Sequence, residues 1–231
     1  MSYKNDLAAP PGFAFPFSIH RTETVPITEG LKKNLEQEKL QPDLRKLKPG
    51  FLKIETYPDA ISTVFAFPYK KDVEYLKEGS LVKRSIPVLE TARFIFLPGY
   101  VLTSGKTAAI KGGLQAIVSF MNISRTNFPL SQEKLNELSE QAVVIKNMKF
   151  CNVPNAEIEQ VTFAGEIEDA FNAGNLSLRD AKINHFTGVF NTPFKIRSLK
   201  FSRAGKINVL KDKRNGVGTD LLHWIIQQVC M

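Results

Sequence analysis

The sequence predicts an α+β fold, in which an internally duplicated antiparallel sheet is backed by helices and preceded by an N-terminal arm. Three observations predict it. Strand-like segments with alternating apolar residues are separated by turn residues. A hairpin followed by an amphipathic helix occurs twice, with the helices ending near Met121 and at the end of the chain. A charged segment closed by Gly-x-Leu precedes each hairpin, and this shared order indicates an internal repeat.

Residues 1–48 form the predicted arm. Four prolines lie within residues 1–27 and favour an extended chain. Thr28 is placed to cap a charged helix that continues to about Leu40, and Pro42 interrupts it. Three phenylalanines are expected to dock the arm: Phe13, Phe15 and Phe17.

The first repeat is predicted over residues 51–121. FLKIETY and AISTVFAF alternate as strands, and KKDVEYLKEGSL is predicted to be a short helix ended by Gly79. VKRSIPVL continues as a strand. RFIFLPGYVLT is a hairpin that turns at Pro98-Gly99, and TAAIKGGLQAIVSFM is the closing helix.

Residues 122–142 link the repeats through a helix capped by Ser131. The second repeat, residues 143–231, has strand-like AVVIKNMKF and EIEQVTFAG, and EIEDAFNAGNL is predicted to be its short helix. The hairpin FKIRSLKFSRAGKINVLK turns at Ala204-Gly205, and TDLLHWIIQQV is the final helix.

The segment FIFLPGYVLTSGKT has the general appearance of a phosphate-binding loop, but its spacing excludes one. Such a loop requires G-x-x-x-x-G-K-[ST], and Gly99 lies one residue too far from Gly105. YVLT also reads as a strand, and the second hairpin has no Gly-Lys-Thr. The segment is therefore predicted to be a strand, a turn and a strand.

No pattern of catalytic or metal-binding residues stands out. The three histidines are dispersed, and the two cysteines, Cys151 and Cys230, lack zinc-type spacing. We therefore expect no catalytic residue, no metal and no cofactor. An enzyme acting on nucleic acid stays open as an alternative, since folding can bring distant acids such as Asp59 and Asp180 together.

Composition indicates a soluble, intracellular protein of the cytoplasm or nucleus, without a membrane partner. The chain has 231 residues. No apolar run in it approaches the roughly 20 residues that span a bilayer. The start, MSYKNDLAAPPG, has no secretory pattern. Two cysteines are too few for a disulfide framework.

Positive charge is concentrated in the last hairpin and the segment after it. The chain has a net charge of +8, which favours an anionic partner. Alternation is expected to place Lys195 and Arg197, and with them Arg203, on one face and Ile196, Leu199 or Phe201 on the other. A solubilising edge hairpin is the alternative. Eight cations stand here against one acid, Asp212: Lys195, Arg197, Lys200, Arg203, Lys206, Lys211, Lys213 and Arg214.

Three short pieces carry a resemblance to a known family: ISTV (Ile61 to Val64) and the hairpins IFLPGYVLTSGK and KFSRAGKINVL. Together with the repeat, they make residues 51–231 resemble the core of the TATA-box-binding protein family. The resemblance implies a curved, saddle-shaped antiparallel sheet with long helices on its convex side. The family's concave face enters a widened minor groove and inserts phenylalanine wedges between base steps.

Phe96 and Phe201 match one wedge from each repeat, and Phe186 or Phe190 is a loose match to a further wedge. These roles rest on the resemblance alone. The first repeat supplies no further phenylalanine where the family has one.

In the first strand of each repeat the family has an asparagine that reads A·T base edges. This sequence has Phe65 there, and in the second repeat only Gln160 lies near the equivalent position. TATA specificity is therefore not implied.

The sequence thus predicts a non-enzymatic DNA-binding protein, with DNA favoured over RNA and a transcription-related protein as a further partner. The alternative is a protein–protein interaction or regulatory module that keeps the fold without reading DNA sequence. The predicted phosphate contacts are Lys195, Arg197, Lys200, Arg203 and Lys206.

Overall fold

The computed structural model describes residues 15–22, 29–37, 41–43, 45–57, 60–121, 125–152, 160–165, 181–193, 195–210 and 219–230. It is an α+β structure of antiparallel strands backed by few helices, as predicted. The chain divides into two compact units, residues 20–126 (the central unit) and residues 1–19 with 127–231 (the C-terminal unit). The chain passes between the units twice, inside β1 between Ile19 and His20 and again between Thr126 and Asn127.

The central unit is an antiparallel sheet in the order β2-β3-β4-β5. The last three residues of β1 belong to this unit, where the Thr22 amide donates to the Gly99 carbonyl at 2.9 Å. The elements from the start of the chain to the unit boundary are β1 (Phe15–Thr22), α1 (Glu29–Leu35), β2 (Gly50–Tyr57), β3 (Ala60–Lys77), β4 (Ser80–Leu97), β5 (Tyr100–Gly105), α2 (Thr107–Met121) and β6 (Arg125–Asn127).

Aromatic rings form the core of the central unit. Phe51, Phe65 and Phe94 meet edge to face, with ring centroids 4.9 to 6.2 Å apart. Helix α2 comes close to this cluster because it presents glycines to it. A Cβ on Gly112 would lie 2.8 Å from the Phe67 ring, and one on Gly113 would overlap Phe94. The alanine- and glycine-rich helix is therefore fitted to a sheet face of bulky rings.

The hairpin of β4 and β5 confirms the exclusion of a phosphate loop. Phe94 to Leu97 pair with Tyr100 to Thr103. Gly99 has a φ of 76°, the positive value that the turn needs. Gly105 ends β5 before α2 begins at Thr107. The backbone at Tyr100 is therefore a strand and does not curl around a phosphate.

The predicted short helix KKDVEYLKEGSL is wrong, because this segment is the end of a long hairpin. β3 and β4 each have 18 residues and pair without interruption from Ile61↔Phe96 to Lys77↔Ser80. Glu78 and Gly79 form the turn, with φ of 51° and 80° respectively. A type I′ turn requires this positive sign at both positions. A short segment with few apolar residues can match both the helical period of 3.6 residues and the strand period of 2. Here the turn at Glu78 and Gly79 favours the hairpin over the helix.

The strands of the C-terminal unit are also antiparallel, in the order β1-β11-β10-β9-β7-β8. The first part of β1 lies beside β11, with Phe15 opposite Val209. Ser131 caps α3 as predicted, since its hydroxyl accepts from the Lys134 amide at 3.1 Å. The elements are α3 (Gln132–Glu140), β7 (Val144–Cys151), β8 (Gln160–Ala164), β9 (Lys182–Asn191), β10 (Ile196–Ser202), β11 (Lys206–Leu210) and α4 (Thr219–Cys230).

The core of the C-terminal unit contains the rings of Phe186, Phe190 and Phe201, with centroids 5.5 to 6.4 Å apart. The hairpin of β10 and β11 turns at the predicted place. Gly205 has a φ of 73°, and a Cβ there would overlap the Phe128 carbonyl oxygen. This turn is therefore packed against the chain segment that precedes α3.

Several predictions concern the arm and segments outside the described residues. From Phe15 onward the arm is extended as β1, and Phe17 is buried there. The first helix ends at Leu35, before the predicted Leu40. Phe13, the short helix EIEDAFNAGNL, and the basic residues Lys211, Lys213 and Arg214 lie outside the described residues.

Candidate nucleic-acid interface

The sheet of the C-terminal unit has one buried face and one open face. Along β10 the side chains alternate, with Leu199 and Phe201 buried and Ser198, Lys200 and Ser202 half-buried. The buried face lies toward α3, which contacts β9 and α4. Because directly opposite residues of neighbouring strands share a face, the strand register shows which other side chains join Lys200 on the open face.

Strands β7 to β11 contain six cations and no acid. They are Lys146, Lys149, Lys182, Arg197, Lys200 and Lys206. The strands β2 to β5 of the central unit differ, since they include Glu55, Asp72, Glu74 and Glu90 among their basic residues. The positive charge of the C-terminal sheet is therefore not balanced within its own strands.

Two cross-strand rows make up the centre of the open face. The first runs across six strands, and the second, next to it, contains three basic groups. The first row is Pro16, Asn208, Lys200, Thr187, Asn147 and Ala164. The second row is Lys206, Ser202, His185, Lys149 and Thr162. We call these two rows, together with Lys146, the basic sheet face.

The lysines of the basic sheet face are available to a ligand. In the part of the chain that the structure describes, Lys149, Lys200 and Lys206 form no ion pair. The Lys146 ammonium donates to the Ser198 hydroxyl at 3.0 Å, a neutral contact that leaves its charge uncompensated. At a strand spacing of about 4.8 Å, the first row spans about 24 Å. This length matches about seven nucleotide steps at about 3.4 Å per step along one strand.

His185 reports the positive field at this face. Partial burial, and then the charges of Lys200 and Lys149, hold the pKa of the His185 imidazole below its ordinary value. Lys149 stands directly opposite His185 on β7, and Ser202 stands opposite it on β10. His185, Lys149 and Lys200 therefore lie close enough to act on one bound anion.

Amide and hydroxyl side chains separate the cations. Asn208 and Thr187 lie on either side of Lys200, and Asn147 lies opposite Thr187. The Asn208 Oδ1 is buried and accepts no hydrogen bond within the described part of the chain. Thr187 is only 3% exposed, so the half-buried amides of Asn208 and Asn147 are the groups of this row that can offer hydrogen bonds to a polar ligand beside the charge of Lys200.

The structure brings together only part of the residues predicted from the sequence. Lys200 and Lys206 lie on the basic sheet face. Gln160 is exposed at the start of β8, opposite Cys151, and on the side of Thr162. Arg203 is exposed in the turn between β10 and β11, and Lys195 is half-buried just before β10.

The predicted orientation of Arg197 is wrong. Residues two apart in a strand share a face, so Arg197 lies with Leu199 and Phe201 on the buried face. It stands opposite Phe190 and is only 9% exposed. Arg197 is therefore not available as a phosphate contact.

The predicted wedges are corrected in the same way. Phe96 is 0% exposed and Phe201 is 1% exposed, and both belong to the cores of their units. Phe186 and Phe190 are also buried. A wedge must reach a base step from the protein surface, so none of these four rings is placed to act as one.

The sequence reasoning missed Lys146, Lys149, His185 and Asn208. A usable signal was present, since KNMKF and KINHF place basic residues in strands that contain no acid. Their common face depends on register, which shifts between Ile145 and Asn147. The spacing in the sequence alone does not reveal that shift.

Metal-binding groups and membrane-spanning helices are not found in the part of the chain that the structure describes. Among those residues, no group of three or more His, Cys, Asp or Glu side chains is placed to hold a metal ion. None of the described helices is long and apolar enough to span a bilayer.

No protein-family model matches the chain, and no curated protein matches it in sequence.

Proposed function

We propose that this protein binds nucleic acid without catalysing a reaction, with DNA favoured over RNA, through the basic sheet face. The observation that carries the proposal is the charge of strands β7 to β11, which have no acid and, besides the buried Arg197, five lysines. A polyanion gains from such a face mainly by releasing its condensed counterions. The hydroxyl and amide groups between the lysines supply hydrogen bonds that fix its position.

The location of the lysines argues against a role in protecting a sheet edge. Edge protection requires charges on the outermost strands. β9 and β10 are interior strands of the order β1-β11-β10-β9-β7-β8, and Lys200 is central in it. In a sheet with only a structural role Lys200 would be unfavourable, because its half-buried positive charge has no acidic partner in strands β7 to β11.

The two units support the duplicated architecture of the TATA-box-binding protein family. Each has a helix, then antiparallel strands, then a helix: α1, the four strands β2 to β5 and α2 in one, and α3, the five strands β7 to β11 and α4 in the other, where β8 is the additional strand beside β7. We place the ligand on the open sheet face by this analogy. Without surface wedges, binding by charge and amides is expected to bend a duplex less than the family does.

The test is fluorescence anisotropy with labelled 16-base-pair duplexes, one A·T-rich and one G·C-rich, and a single strand of the same length. The test variant changes Lys149, Lys200 and Lys206 to Glu. The matched control changes Lys77, Lys106 and Lys111 of the central unit to Glu, which gives the same net charge. We expect the test variant to lose at least tenfold in affinity and the control much less.

Equal losses in the two variants would assign binding to net charge alone and reject the basic sheet face. Absence of binding by the wild type at low salt would reject the function. A glutamine series at the same three lysines, with circular dichroism melting, separates loss of charge from loss of folding.

A further inference from the structure

The hairpin of β3 and β4 extends beyond the sheet to which it belongs. β2 pairs with β3 only as far as Ala66, and β5 pairs with β4 only from Ala92 onward. Residues 67–77 and 80–90, which we call the ribbon, pair only with each other among the described strands. At about 3.4 Å per residue, eleven residues extend about 37 Å.

The edges of the ribbon are poor sites for a further strand. In a two-residue hairpin the pair next to the turn, Lys77 and Ser80, is hydrogen-bonded, and such pairs then alternate along the strands. Pro68 and Pro87 therefore fall at positions whose missing N–H would point outward. Addition of a strand is interrupted on both edges, so a partner is better placed on a face.

One face of the ribbon is an apolar strip. Directly opposite pairs define it, from the base of the ribbon toward its turn. The strip consists of Tyr69 with Val88, Val73 and Ile86 in the next rows, and Tyr75 with Val82. Of these six side chains, Tyr75 is 40% exposed and the other five are half-buried by their neighbours on the ribbon.

The core of the central unit stops where the strip begins. Gly112 of α2 approaches Phe67, the ring that lies 6.1 Å from Tyr69. The Tyr69 hydroxyl donates to the Glu90 carboxylate at 3.0 Å, which closes the base of the strip. Beyond this point the apolar side chains continue for about 20 Å, counted as six residues of strand.

The charges in the strip have one sign. Between Tyr69 and Tyr75 the only ionisable groups on this face besides the tyrosines are Lys71, opposite Ile86, and Arg84, opposite Val73. The acids Asp72 and Glu74 point to the other face, where Glu74 pairs with Lys83 at 2.9 Å. An occupant of the strip must therefore be apolar along its centre and acidic beside it.

The positive charge of the strip favours one kind of binding partner over a second copy of the chain or a nucleic acid. A second copy would enclose Lys71 and Arg84 of both chains in one apolar interface without a counter-charge, which is unfavourable. Nucleic acid is disfavoured because the acids Asp72, Glu74 and Glu90 lie on the same ribbon. An acidic amphipathic helix satisfies both requirements, and its diameter of about 10 Å fits a two-stranded ribbon.

We propose that the apolar strip of the ribbon docks an amphipathic helix of a partner protein, with acidic residues that meet Lys71 and Arg84. A strip of about 20 Å takes a helix of about 14 residues at about 1.5 Å per residue. The helix contributes an apolar stripe at i, i+3, i+4 and i+7, the spacing of groove-binding helices. The strip consists of residues of the central unit, whereas the basic sheet face consists of residues of the C-terminal unit.

The test uses two designed 16-residue helical peptides with the same leucine stripe, one flanked by Glu and the other by Lys. Fluorescence anisotropy of each labelled peptide is measured against the full chain. We expect the acidic peptide to bind at least tenfold more tightly than the basic one. The double variant Lys71→Glu with Arg84→Glu should reverse that order.

Two further variants make the result specific. Val73→Ser with Ile86→Ser removes apolar area from the strip and should weaken the acidic peptide at least tenfold. Glu74→Gln with Lys83→Gln removes the ion pair on the other face and should leave binding unchanged.

Three outcomes would overturn the proposal: no binding of the acidic peptide, equal binding of the two peptides, or no effect of the charge reversal. Sedimentation equilibrium covers the remaining occupant, because a dimer that Val73→Ser with Ile86→Ser dissociates would assign the strip to a second copy. Circular dichroism melting confirms that each variant is folded.

Discussion

Lys149 and His185 stand directly opposite each other on β7 and β9, on the open face of the C-terminal sheet. Partial burial, and then the charges of Lys200 and Lys149, keep the pKa of the imidazole below its ordinary value in the free protein. A bound phosphate chain supplies negative charge to the same place and raises that pKa. Binding and protonation of His185 are therefore linked, and each favours the other.

The first prediction concerns pH. As pH falls from 8 toward 5, His185 gains a proton more readily in the complex than in the free protein, so affinity for DNA should rise. One added charge pair at a partly exposed site is expected to improve binding about two- to fivefold. Anisotropy titrations at constant ionic strength measure this, with His185→Gln as the comparison. An equal rise in that variant would show that another group is responsible.

The second prediction concerns salt. The four lysines of the basic sheet face are Lys146, Lys149, Lys200 and Lys206. If each neutralises one phosphate, the slope of log affinity against log salt concentration is about −3.6. Lys149→Gln with Lys200→Gln should reduce the slope by about 1.8. Titrations from low salt to above physiological salt give the slopes. A double variant with weaker binding and an unchanged slope would mean that these lysines do not contact phosphate.

The third prediction uses two glycines with similar backbone angles. Gly79 has a φ of 80° and open space around it, whereas a Cβ on Gly205, with a φ of 73°, would overlap the Phe128 carbonyl oxygen. Gly79→Ala should cost about 1–2 kcal/mol of unfolding free energy, for backbone strain alone. Gly205→Ala should cost more than that, because the segment before α3 must also move.

Urea unfolding measures both costs, and intrinsic fluorescence and circular dichroism test whether the transitions coincide. Equal destabilisation in the two variants would show that the Phe128 segment adapts without cost.

The fourth prediction separates a core phenylalanine from a wedge. Phe201 packs beside Phe186 and Phe190, so its truncation leaves a cavity there. Phe201→Ala should therefore lower the free energy of unfolding by about 3–5 kcal/mol. Phe201→Leu retains most of the volume and should keep both folding and DNA affinity. If the leucine variant melts like the wild type yet loses DNA binding, then Phe201 acts at the interface after all.

Local signals in the sequence identified much of the fold. Pro98-Gly99 and Ala204-Gly205 marked their hairpins, and Ser131 marked the start of α3, because each of these residues has a conformational or capping role that acts within a few positions. The helix predicted for the segment DVEYLKEGSL is wrong because the apolar residues of this segment fit both a helix and a strand. Its pairing with distant residues such as Arg84 decided the outcome.

Less of the candidate site than of the fold could be predicted from the sequence. The density of basic residues in the last hairpin pointed to the sheet that carries the proposed interface, but density does not separate Lys200 from the buried Arg197. That difference follows from which face the helices cover. The contributions of Lys149 and His185 come from strands far along the chain, and the register that aligns them with Lys200 includes an irregularity near Asn184.

The pairing of Phe15 with Val209 has a consequence for how the protein is made. β3 and β4 fold from a local turn as soon as both have left the ribosome, since their contacts are close in sequence. β1 is synthesised well before its neighbour β11, which emerges on the order of 10 to 40 seconds later at ordinary synthesis rates. The first part of β1, Phe15 to Ser18, thus lacks this neighbour in the nascent chain until the last hairpin arrives, and this interval is when protection by a chaperone has most value.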